Sequence, residues 1–317
     1  MTCRICGSSA NSRNLVLYEK MYGTGEAFPY FECGGCGCLQ IERVPPDLGK
    51  YYPSGYYSYS APLPLRGPLR RWTRRIKYDY VIFDRGWLGK LLYEFRPEPY
   101  GQFRFYSRLP VTRETRILDV GCGSGRDLHK LREHGFAKVH GVDPYLPETI
   151  RYENGLTVLK KDFLETEGEW DVIVFNHVLE HLPDPHAIVR HARRVLAAGG
   201  ACIVRVPVIP CHAFERYGTN WVQLDAPRHL FTYSVEAIRT LAERNGLRFE
   251  EDRYYYDSLA DQFWGSELYS RGLRLLPENA DPRRNFSRSE LAVFKRQARE
   301  LNTLKKGDQA VFYLTKG

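Results

Sequence analysis

The sequence predicts an α/β protein in which a doubly wound, mostly parallel sheet follows a small cysteine-rich module. From about residue 105 onward, short apolar runs alternate with amphipathic segments, as expected of strands separated by helices. Five of the chain's eight cysteines fall in the first 40 residues, four of them in two C-x-x-C pairs. These observations divide the 317 residues into a module at 1–45, a Tyr-rich linker with a basic helical segment at 46–104, and an α/β domain at 105–317.

Apolar runs and helix-capping residues define the elements of the α/β domain. Strands are predicted at 116–120, 138–143, 156–162, 170–178, 201–207, 247–255 and 310–316. Helices are predicted at 126–135, 184–200 and 234–246. Asp184 and Ser234 are typical N-cap residues, and Gly199, Gly200 and Gly246 are typical of helix ends.

The net charge of +8 permits an anionic partner such as a nucleotide-sugar, a nucleic acid or a lipid head group, and it selects none of them. Much of the excess lies in the predicted helix at 65–77. This helix could touch an anionic membrane surface, although a solvated basic face is the simpler interpretation. No apolar run approaches the roughly 18 residues of a membrane-spanning helix, and the N-terminus does not resemble a signal peptide. A cytoplasmic location is therefore expected.

The two cysteine pairs predict a structural zinc site. Cys3 and Cys6 form the first C-x-x-C pair, and Cys33 and Cys36 form the second. Four thiolates at such spacing can surround zinc tetrahedrally and leave no open position for catalysis. Buried thiols without a metal are the alternative. Cys38 is expected to be a spare, although it could replace Cys36.

A glycine loop at 121–125 (GCGSG) follows the first predicted strand of the domain. Glycines allow positive φ and let the backbone approach a ligand closely. The dinucleotide fingerprint G-x-G-x-x-G needs a third glycine at position 126, which is Arg126. Asp119 would repel a pyrophosphate but tolerate a cationic ligand. The loop therefore favours S-adenosylmethionine over NAD or ATP.

Two more acids end the next predicted strands. Asp143 ends the second strand, where a carboxylate can accept hydrogen bonds from both ribose hydroxyls. Asp162 ends the third, where it could accept from an adenine amino group while the N–H of Phe163 donates to the ring. Either acid alone could be an ordinary strand-end residue. The ordered set on successive strands is much more specific.

Together, the segments ILDVGCGSG, VHGVDP, KKDF, FNHVLEHLPDP and LAAGGACIVRVP resemble successive motifs of class I S-adenosylmethionine-dependent methyltransferases. The resemblance covers about residues 105–255. It implies a seven-stranded Rossmann-like sheet whose last strand is antiparallel. It also implies cofactor contacts from Asp119, Gly121, Gly123, Gly125, Asp143, Asp162 and Asn176.

The N-terminal segments CRICGS and CGGCGCLQ, followed by YYPSGYYSY, resemble those of bacterial methyltransferases of glycan and deoxysugar pathways, including sugar C-methyltransferases. This resemblance implies a small or glycan-type acceptor, such as a nucleotide-linked sugar or a cell-surface glycan precursor. Oxygen and carbon both stay open as the acceptor atom.

Residues after the fourth predicted strand should face the transferred methyl group, because ligands of such sheets bind beyond the carboxyl ends of the strands. His181 is therefore the predicted general base, with Glu180 beside it. The alternative is that this pair only caps and positions the next helix. His229 is a second candidate, in a loop that its own hydrogen bonds could simply hold in place. The helical histidines 129, 134, 186 and 191 are expected to be solvated.

Two other functions compete with this hypothesis. A nucleic-acid methyltransferase fits the charge and the cysteine module, but the fourth predicted strand lacks the Asn/Asp-Pro-Pro-aromatic motif of base amino methylation. Cys211 follows one strand too late to be a nucleophile for pyrimidine carbon. A non-enzymatic, zinc-containing interaction protein is the second alternative, and the intact glycine and acidic positions argue against it.

Overall fold

The structure is a computed structural model that describes residues 1–52, 67–95, 101–275, 279 and 281–317. Most of the predicted Tyr-rich stretch, at 53–62, and the first two residues of the predicted basic helix lie outside the described residues.

The chain divides into two compact units. The first unit comprises Met1–Pro53, His177–Arg190 and Val204–Leu314. The second unit comprises Ser54–Asn176, His191–Ile203 and Thr315–Gly317.

The strands of the described residues are, in chain order, β1 (Asn11–Tyr18), β2 (Ala27–Cys33), β3 (Leu39–Ile41), β4 (Ile117–Val120), β5 (Val139–Val142), β6 (Ile150–Arg151), β7 (Thr157–Leu159), β8 (Trp170–Asn176), β9 (Leu196–Pro207), β10 (Phe231–Thr232), β11 (Arg248–Phe249), β12 (Tyr255–Tyr256) and β13 (Gln309–Thr315). The α-helices are α1 (Pro68–Phe83), α2 (Trp87–Phe95), α3 (Arg126–Glu133), α4 (Pro185–Val195), α5 (His212–Tyr217), α6 (Val235–Arg244), α7 (Ala260–Ser270) and α8 (Arg288–Thr303). None of the helices described is both long and apolar enough to cross a membrane.

The second unit contains most of the larger sheet, in the order β9-β8-β4-β5-β7-β6, and the short edge strand β6 is antiparallel to β7. Strand β4 is parallel to β5 and to β8, and β5 is parallel to β7. Val120 lies opposite both Val142 and Phe175, and Val142 lies opposite Leu159. The carboxyl ends of these four strands therefore end level with one another at one edge.

The first unit contains a separate antiparallel sheet in the order β1-β2-β3-β10. Strand β10 pairs with β3, with Phe231 opposite Gln40 and Thr232 opposite Leu39. The N-H of Ile41 also donates to the carbonyl of Leu230 at 2.9 Å. The cysteine hairpin, formed by β2 and β3 with Cys33 and Cys36 at its turn, therefore shares its sheet with a segment almost 200 residues away. The sequence analysis did not predict this pairing.

The last strand is antiparallel to its neighbour, as the resemblance implied. In the first unit, the N–H of Val208 donates to Asp308 O at 3.0 Å. In the second unit, the N–H of Lys316 donates to Gly200 O at 2.9 Å. Residue numbers fall along β9 as they rise along β13, which is the signature of an antiparallel pair.

Two predicted boundaries are wrong. The helix predicted to reach Gly200 ends at Val195, and β9 begins at Leu196. Its end is set by pairing, because Gly199 N–H donates to Lys316 O while Gly200 O accepts from Lys316. The strand predicted at 247–255 is reduced to the two-residue strands β11 and β12, separated by a turn in which Arg253 N–H donates to Glu250 O at 3.1 Å.

The predicted count of seven strands is not confirmed. Over the residues that the structure describes, the pairings that include β9 and β13 join nine strands. The difference arises at β6, which no sequence signal indicated, and at the divided segment 247–255.

Three helical histidines expected to be solvated are buried: His129, His134 and His191. His134 stacks on Tyr78 with ring centroids 3.7 Å apart. His191 lies edge-on to Phe163 and within 3.1 Å of the Thr166 hydroxyl. A neutral imidazole packs as an aromatic ring, so a histidine on the inner face of a helix need not be exposed.

A buried carboxyl in the first unit anchors the segment that leads to His229. Asp308 is fully buried, and its Oδ2 accepts from Trp221 Nε1 at 2.9 Å. No hydrogen-bond partner for its Oδ1 occurs in the described residues. Burial raises the pKa of Asp308 to about 6, against an ordinary value of 3.8.

Because the pKa is raised on folding, Asp308 favours the folded state only while it is protonated, and that contribution is lost as the pH rises from about 4 through 6. A shift of roughly two pH units corresponds to about 3 kcal/mol. Asp308→Asn stays neutral at every pH and can still accept a hydrogen bond from Trp221. We therefore expect the melting temperature of Asp308→Asn, relative to that of wild type, to be higher at pH 8 than at pH 4. Melting temperatures at both pH values check this, with the exposed Asp252→Asn as the control. A difference between variant and wild type that is the same at both pH values would contradict it.

Candidate active site

The predicted cofactor residues come together at one edge of the second unit's sheet. Val120, Val142 and Phe175 lie opposite one another near the carboxyl ends of β4, β5 and β8. The residues that follow them directly are Gly121, Asp143 and Asn176. Asp162 follows β7 by three residues. The parallel register therefore brings together residues that are more than 50 positions apart in the chain, as the sequence analysis expected.

The glycine loop has the backbone that only glycine adopts readily. Gly121, Gly123 and Gly125 have φ values of 63°, 55° and 72°. Gly125 precedes α3, and a Cβ placed on it would lie 2.4 Å from Val158 Cγ2. The three glycines thus satisfy both a conformational and a steric requirement.

Asp143 is buried and held by the loop. Its Oδ2 accepts from Gly123 N–H and its Oδ1 from Tyr145 N–H, both at 2.9 Å. Burial raises the pKa of Asp143, and these two N–H groups oppose the rise. With both oxygens fixed, the carboxylate can present its remaining lone pairs to a diol in one orientation.

Asp119 lies in a negative environment that suits a cation. Burial raises its pKa well above the ordinary value, and the neighbouring charges of Asp127 and Asp143 raise it further. A sulfonium or ammonium group would relieve this repulsion, whereas a phosphate would increase it. The donor set therefore fits S-adenosylmethionine and disfavours a dinucleotide.

Asp162 and Phe163 form a short turn beside the same edge. Asp162 Oδ1 accepts from Leu164 N–H at 2.8 Å and so caps the turn at Phe163–Glu165. Phe163 is buried, edge-on to Phe175 at 5.3 Å. The predicted adenine contact would therefore use Oδ2, the other oxygen of the Asp162 carboxylate, and the backbone N–H of Phe163.

The three predicted catalytic residues also form one group, in the first unit. Glu180, His181 and His229 each offer a ligand atom, and these atoms all lie within 4.8 Å of one another. The two imidazole centroids are 4.6 Å apart, in an edge-on arrangement. His229 thus belongs with the Glu180–His181 pair, which the sequence could not show.

Hydrogen bonds fix the tautomer of both imidazoles. His181 Nδ1 lies 2.9 Å from Arg228 O, and His229 Nδ1 lies 2.7 Å from Gln223 O. A carbonyl oxygen only accepts, so each Nδ1 carries the proton. In the neutral rings the lone pair is therefore on Nε2. The Tyr52 hydroxyl lies 3.1 Å from His181 Nδ1 as well.

Glu180 is a fully buried acid whose two oxygens differ. His177 Nδ1 lies 3.2 Å from Oε1, whereas Oε2 has no hydrogen-bond partner in the part of the chain that the structure describes. Burial alone would raise the pKa of Glu180, but the His177 hydrogen bond and the nearby imidazoles outweigh it, so the pKa lies below its ordinary value. A buried carboxylate with one unused oxygen is costly unless something binds it.

Burial also lowers the pKa of His181, to about 4, with a contribution from the His229 ring, while Glu180 and Asp225 offset part of the effect. The imidazole is therefore neutral at physiological pH, which leaves its Nε2 lone pair available. Such a low pKa also makes it a weak base.

His177 holds Glu180 through an unusual backbone conformation. Its φ of 56° is unusual for a residue with a side chain, and its N–H donates to Arg205 O at 2.9 Å. This backbone conformation turns the His177 ring toward Glu180. Conformations of this kind cost about 1–3 kcal/mol and occur most often at functional sites.

A buried ion cluster, missed by the sequence analysis, supports the His229 loop. Arg228 is fully buried and pairs with both Asp225 and Glu19, at 2.5 and 3.2 Å. It also donates to Tyr51 O at 3.3 Å. Glu19 is 209 positions away from Arg228 and carried no signal in the sequence.

The cysteine pairs form the tetrad that their spacing predicted. Cys3 Sγ lies 3.7 Å from Cys36 Sγ, and Cys6 Sγ lies 3.4 Å from Cys33 Sγ. Thiolates around one zinc at about 2.3 Å stand roughly 3.8 Å apart, so the set fits this metal. Cys38 is buried outside the group, and its sulfur faces Leu39 O at 3.6 Å.

The tetrad also stabilises a thiolate. The pKa of Cys3 is lowered to about 4, first by the hydrogen bond from Cys36 and then by the N–H groups of Cys6 and Ile5 and the Gln40 amide. Gln40 Nε2 lies 3.1 Å from Cys3 Sγ. Backbone and amide donors around sulfur are the usual outer shell of a thiolate metal site.

Comparison with known proteins is consistent with this geometry. The family model for a methyltransferase domain matches residues 92–251. Ubiquinone biosynthesis O-methyltransferase of Neisseria meningitidis serogroup C is 33% identical over 163 residues, which cover 43% of this chain and 68% of that protein. The protein of the same name from Psychrobacter cryohalolentis is 31% identical over 173 residues. That match covers 47% of this chain and 65% of the relative, so this chain spans just under two thirds of it.

Among solved structures, a SAM-dependent methyltransferase from Archaeoglobus fulgidus is similar at a TM-score of 0.39 and 18% identity, with 64% of this chain and 86% of that chain covered.

The anchored carboxylate of Asp143 yields a direct prediction. We expect Asp143→Ala to weaken S-adenosylmethionine binding by about tenfold or more, the typical contribution of a charged hydrogen bond. Isothermal titration calorimetry on both proteins checks this. Glu169→Ala, which removes an exposed acid before β8, should bind as wild type does. Equal affinities for Asp143→Ala and wild type would remove Asp143 from the site.

Proposed function

We propose that this chain, which belongs to the methyltransferase domain family, transfers the methyl group of S-adenosylmethionine to a hydroxyl oxygen of a small polar acceptor. It carries a class I S-adenosylmethionine-dependent methyltransferase domain. One observation carries the proposal: the glycine loop, Asp143 and Asn176 lie at the same edge of the parallel strands. The N–H of Gly123 in that loop donates to Asp143. A nucleotide-linked sugar or a glycan precursor is our first choice of acceptor.

Two observations support oxygen and a polar acceptor. The relatives described above are named O-methyltransferases. Beside His229, the buried amide nitrogen of Gln223 lacks a hydrogen-bond partner in the described residues, as does Glu180 Oε2. Unpaired buried polar groups cost free energy, and a hydroxylated ligand would satisfy them where an apolar one would not.

Each part of the site has a distinct task in this proposal. When bound, the cofactor supplies an electrophilic methyl group on a cationic sulfur. Asp143 binds the ribose hydroxyls, and Asp119 favours the positive charge. Glu180, His181 and His229 form the part of the site that binds the acceptor's hydroxyl group and promotes loss of its proton.

We also propose that the cysteine tetrad binds structural zinc and so positions the acceptor residues. The zinc would join the turn before β1 to the turn between β2 and β3, and β3 pairs with β10, which begins two residues after His229. Ser234 Oγ donates to Cys36 O, and His186 Nε2 lies 3.0 Å from Ile5 O. The metal would then act on the loop through the sheet and take no part in the reaction.

The acceptor test starts from release of S-adenosylhomocysteine in the presence of nucleotide-sugars and of hydroxylated ubiquinone precursors. With the acceptor that turns over, we expect His181→Ala to lower the single-turnover rate roughly a hundredfold, the effect typical of losing a group that handles the proton. Affinity for S-adenosylmethionine should change little, because the residues that bind it belong to the other unit.

His212→Ala is the matched control, since it removes a histidine of the same unit outside the Glu180 group. A rate for His181→Ala close to that of wild type would leave His181 as a residue that only positions the next turn. Loss of folding or of cofactor affinity would do the same. No turnover with any hydroxylated acceptor would contradict the proposed function.

The zinc proposal predicts a difference between two cysteines. Cys6→Ser should lose about one equivalent of zinc per chain relative to wild type and unfold at a lower temperature, because tetrahedral binding needs all four thiolates. Cys38→Ser should keep its zinc. Metal analysis of protein purified without added zinc gives both values. Equal zinc in wild type and Cys6→Ser would show that the tetrad is not a zinc site, and loss of zinc in Cys38→Ser would mean a different fourth ligand.

A further inference from the structure

We propose that Glu180, His181 and His229 bind one divalent first-row transition-metal ion, distinct from the zinc of the cysteine tetrad. Its assigned role, binding the acceptor's hydroxyl oxygen, rests on the proposed function; the binding of the ion itself does not.

The ligand atoms are of the right kind and close together. The three residues offer two imidazole nitrogens and one carboxylate oxygen within 4.8 Å of one another. Ligands that share one ion at about 2.1 Å lie roughly 3–4 Å apart. Small rotations of these side chains therefore suffice to enclose an ion.

The histidines are already set as ligands. Each donates its Nδ1 proton to a backbone carbonyl, His181 to Arg228 and His229 to Gln223, and each is left with its lone pair on Nε2. Histidines that bind metals almost always donate their other ring nitrogen to a carbonyl or carboxylate in this way.

Glu180 supplies independent evidence for a cation. Its side chain is fully buried, and Oε2 has no partner among the described residues. The nearby cation Arg228 is not its partner, because Arg228 already pairs with Asp225 and Glu19. A buried carboxylate normally needs a positive partner, and an ion beside Oε2 would provide it.

The donor set selects the class of metal. Two imidazoles and one carboxylate suit Mn²⁺, Fe²⁺, Co²⁺ or Zn²⁺ better than Mg²⁺ or Ca²⁺, which prefer oxygen ligands throughout. Three protein ligands leave coordination positions open, in contrast to the four thiolates of the tetrad. An open position is what an acceptor oxygen would need.

The chemistry that follows balances without a further reactant. An alcohol bound to the ion through oxygen has a lowered pKa and releases its proton to solvent. The oxygen then forms a bond to the methyl carbon, and the carbon–sulfur bond breaks with its electron pair remaining on sulfur. The products are the methyl ether, a proton and S-adenosylhomocysteine, and nothing is oxidised or reduced.

Mn²⁺ is the best probe, because thiolates of the tetrad have little preference for it. Electron paramagnetic resonance follows free Mn²⁺ during titration of the whole 317-residue chain, with any zinc of the tetrad left in place. We expect about one Mn²⁺ to bind per chain in wild type, and at least tenfold weaker binding in His229→Gln and Glu180→Gln. His212→Gln, the matched control, should bind Mn²⁺ as wild type does.

A measurement without mutation guards against variants that fail to fold. Mn²⁺ should raise the melting temperature of wild type, because a ligand that binds only the folded state stabilises it. No bound Mn²⁺ and no thermal shift in wild type would overturn the proposal. So would unchanged Mn²⁺ affinity in a folded His229→Gln variant.

The outcomes separate this proposal from the proposed function. Mn²⁺ that binds and is lost in the variants establishes the site, even if no hydroxylated acceptor is methylated. Methyl transfer that persists at full rate after chelation, together with the absence of Mn²⁺ binding, would overturn the metal site and leave the methyltransferase intact.

Discussion

The ion pairing of the buried Arg228 guanidinium is the interaction on which the arrangement of Glu180, His181 and His229 depends. A charge without solvent must be paired, and Arg228 has two carboxylates, Asp225 and Glu19, around it. Glu19 is itself held by the N–H groups of Tyr22 and Thr24, both at 2.9 Å. The pairing fixes the β1–β2 hairpin and the segment 225–229 in one arrangement. As a consequence, the carbonyl of Arg228 accepts a hydrogen bond from His181 Nδ1, and the next residue, His229, places its ring beside that of His181.

Features governed by neighbouring residues could be predicted from the sequence. Asp184 and Ser234 cap α4 and α6 with hydrogen bonds to the N–H groups three residues on, each at 2.9 Å. The glycine loop needed positive φ, and its spacing alone excluded a dinucleotide fingerprint. The level row of Gly121 and Asp143 followed from the rule that parallel strands end at one edge. In these cases a short stretch of chain contains the whole physical cause.

Features that depend on distant pairing could not be predicted. Nothing in the sequence around Leu39 and Gln40 indicates that β10 will complete their sheet, and nothing around Glu19 indicates Arg228 as its partner. The helix 184–200 was overestimated for the same reason, because its glycines pair with Lys316 rather than end a helix. The position of His229 beside His181 is the product of these distant pairings, so the sequence could name both residues but not their proximity.

The predicted cofactor residues of the second unit and the Glu180, His181 and His229 group of the first unit are therefore built on different physical principles. The cofactor side uses backbone N–H groups, positive φ and strand register, which tolerate wide changes of side chain elsewhere. The Glu180, His181 and His229 group uses buried side chains held by long-range ion pairs and by the sheet that contains the cysteine turns. A substitution at Glu19, far from any reacting atom, would disturb the carbonyl that sets the His181 tautomer. The arrangement of His181 and His229 therefore depends on residues that lie outside the Glu180 group, whereas the conformation of the glycine loop depends on its own glycines.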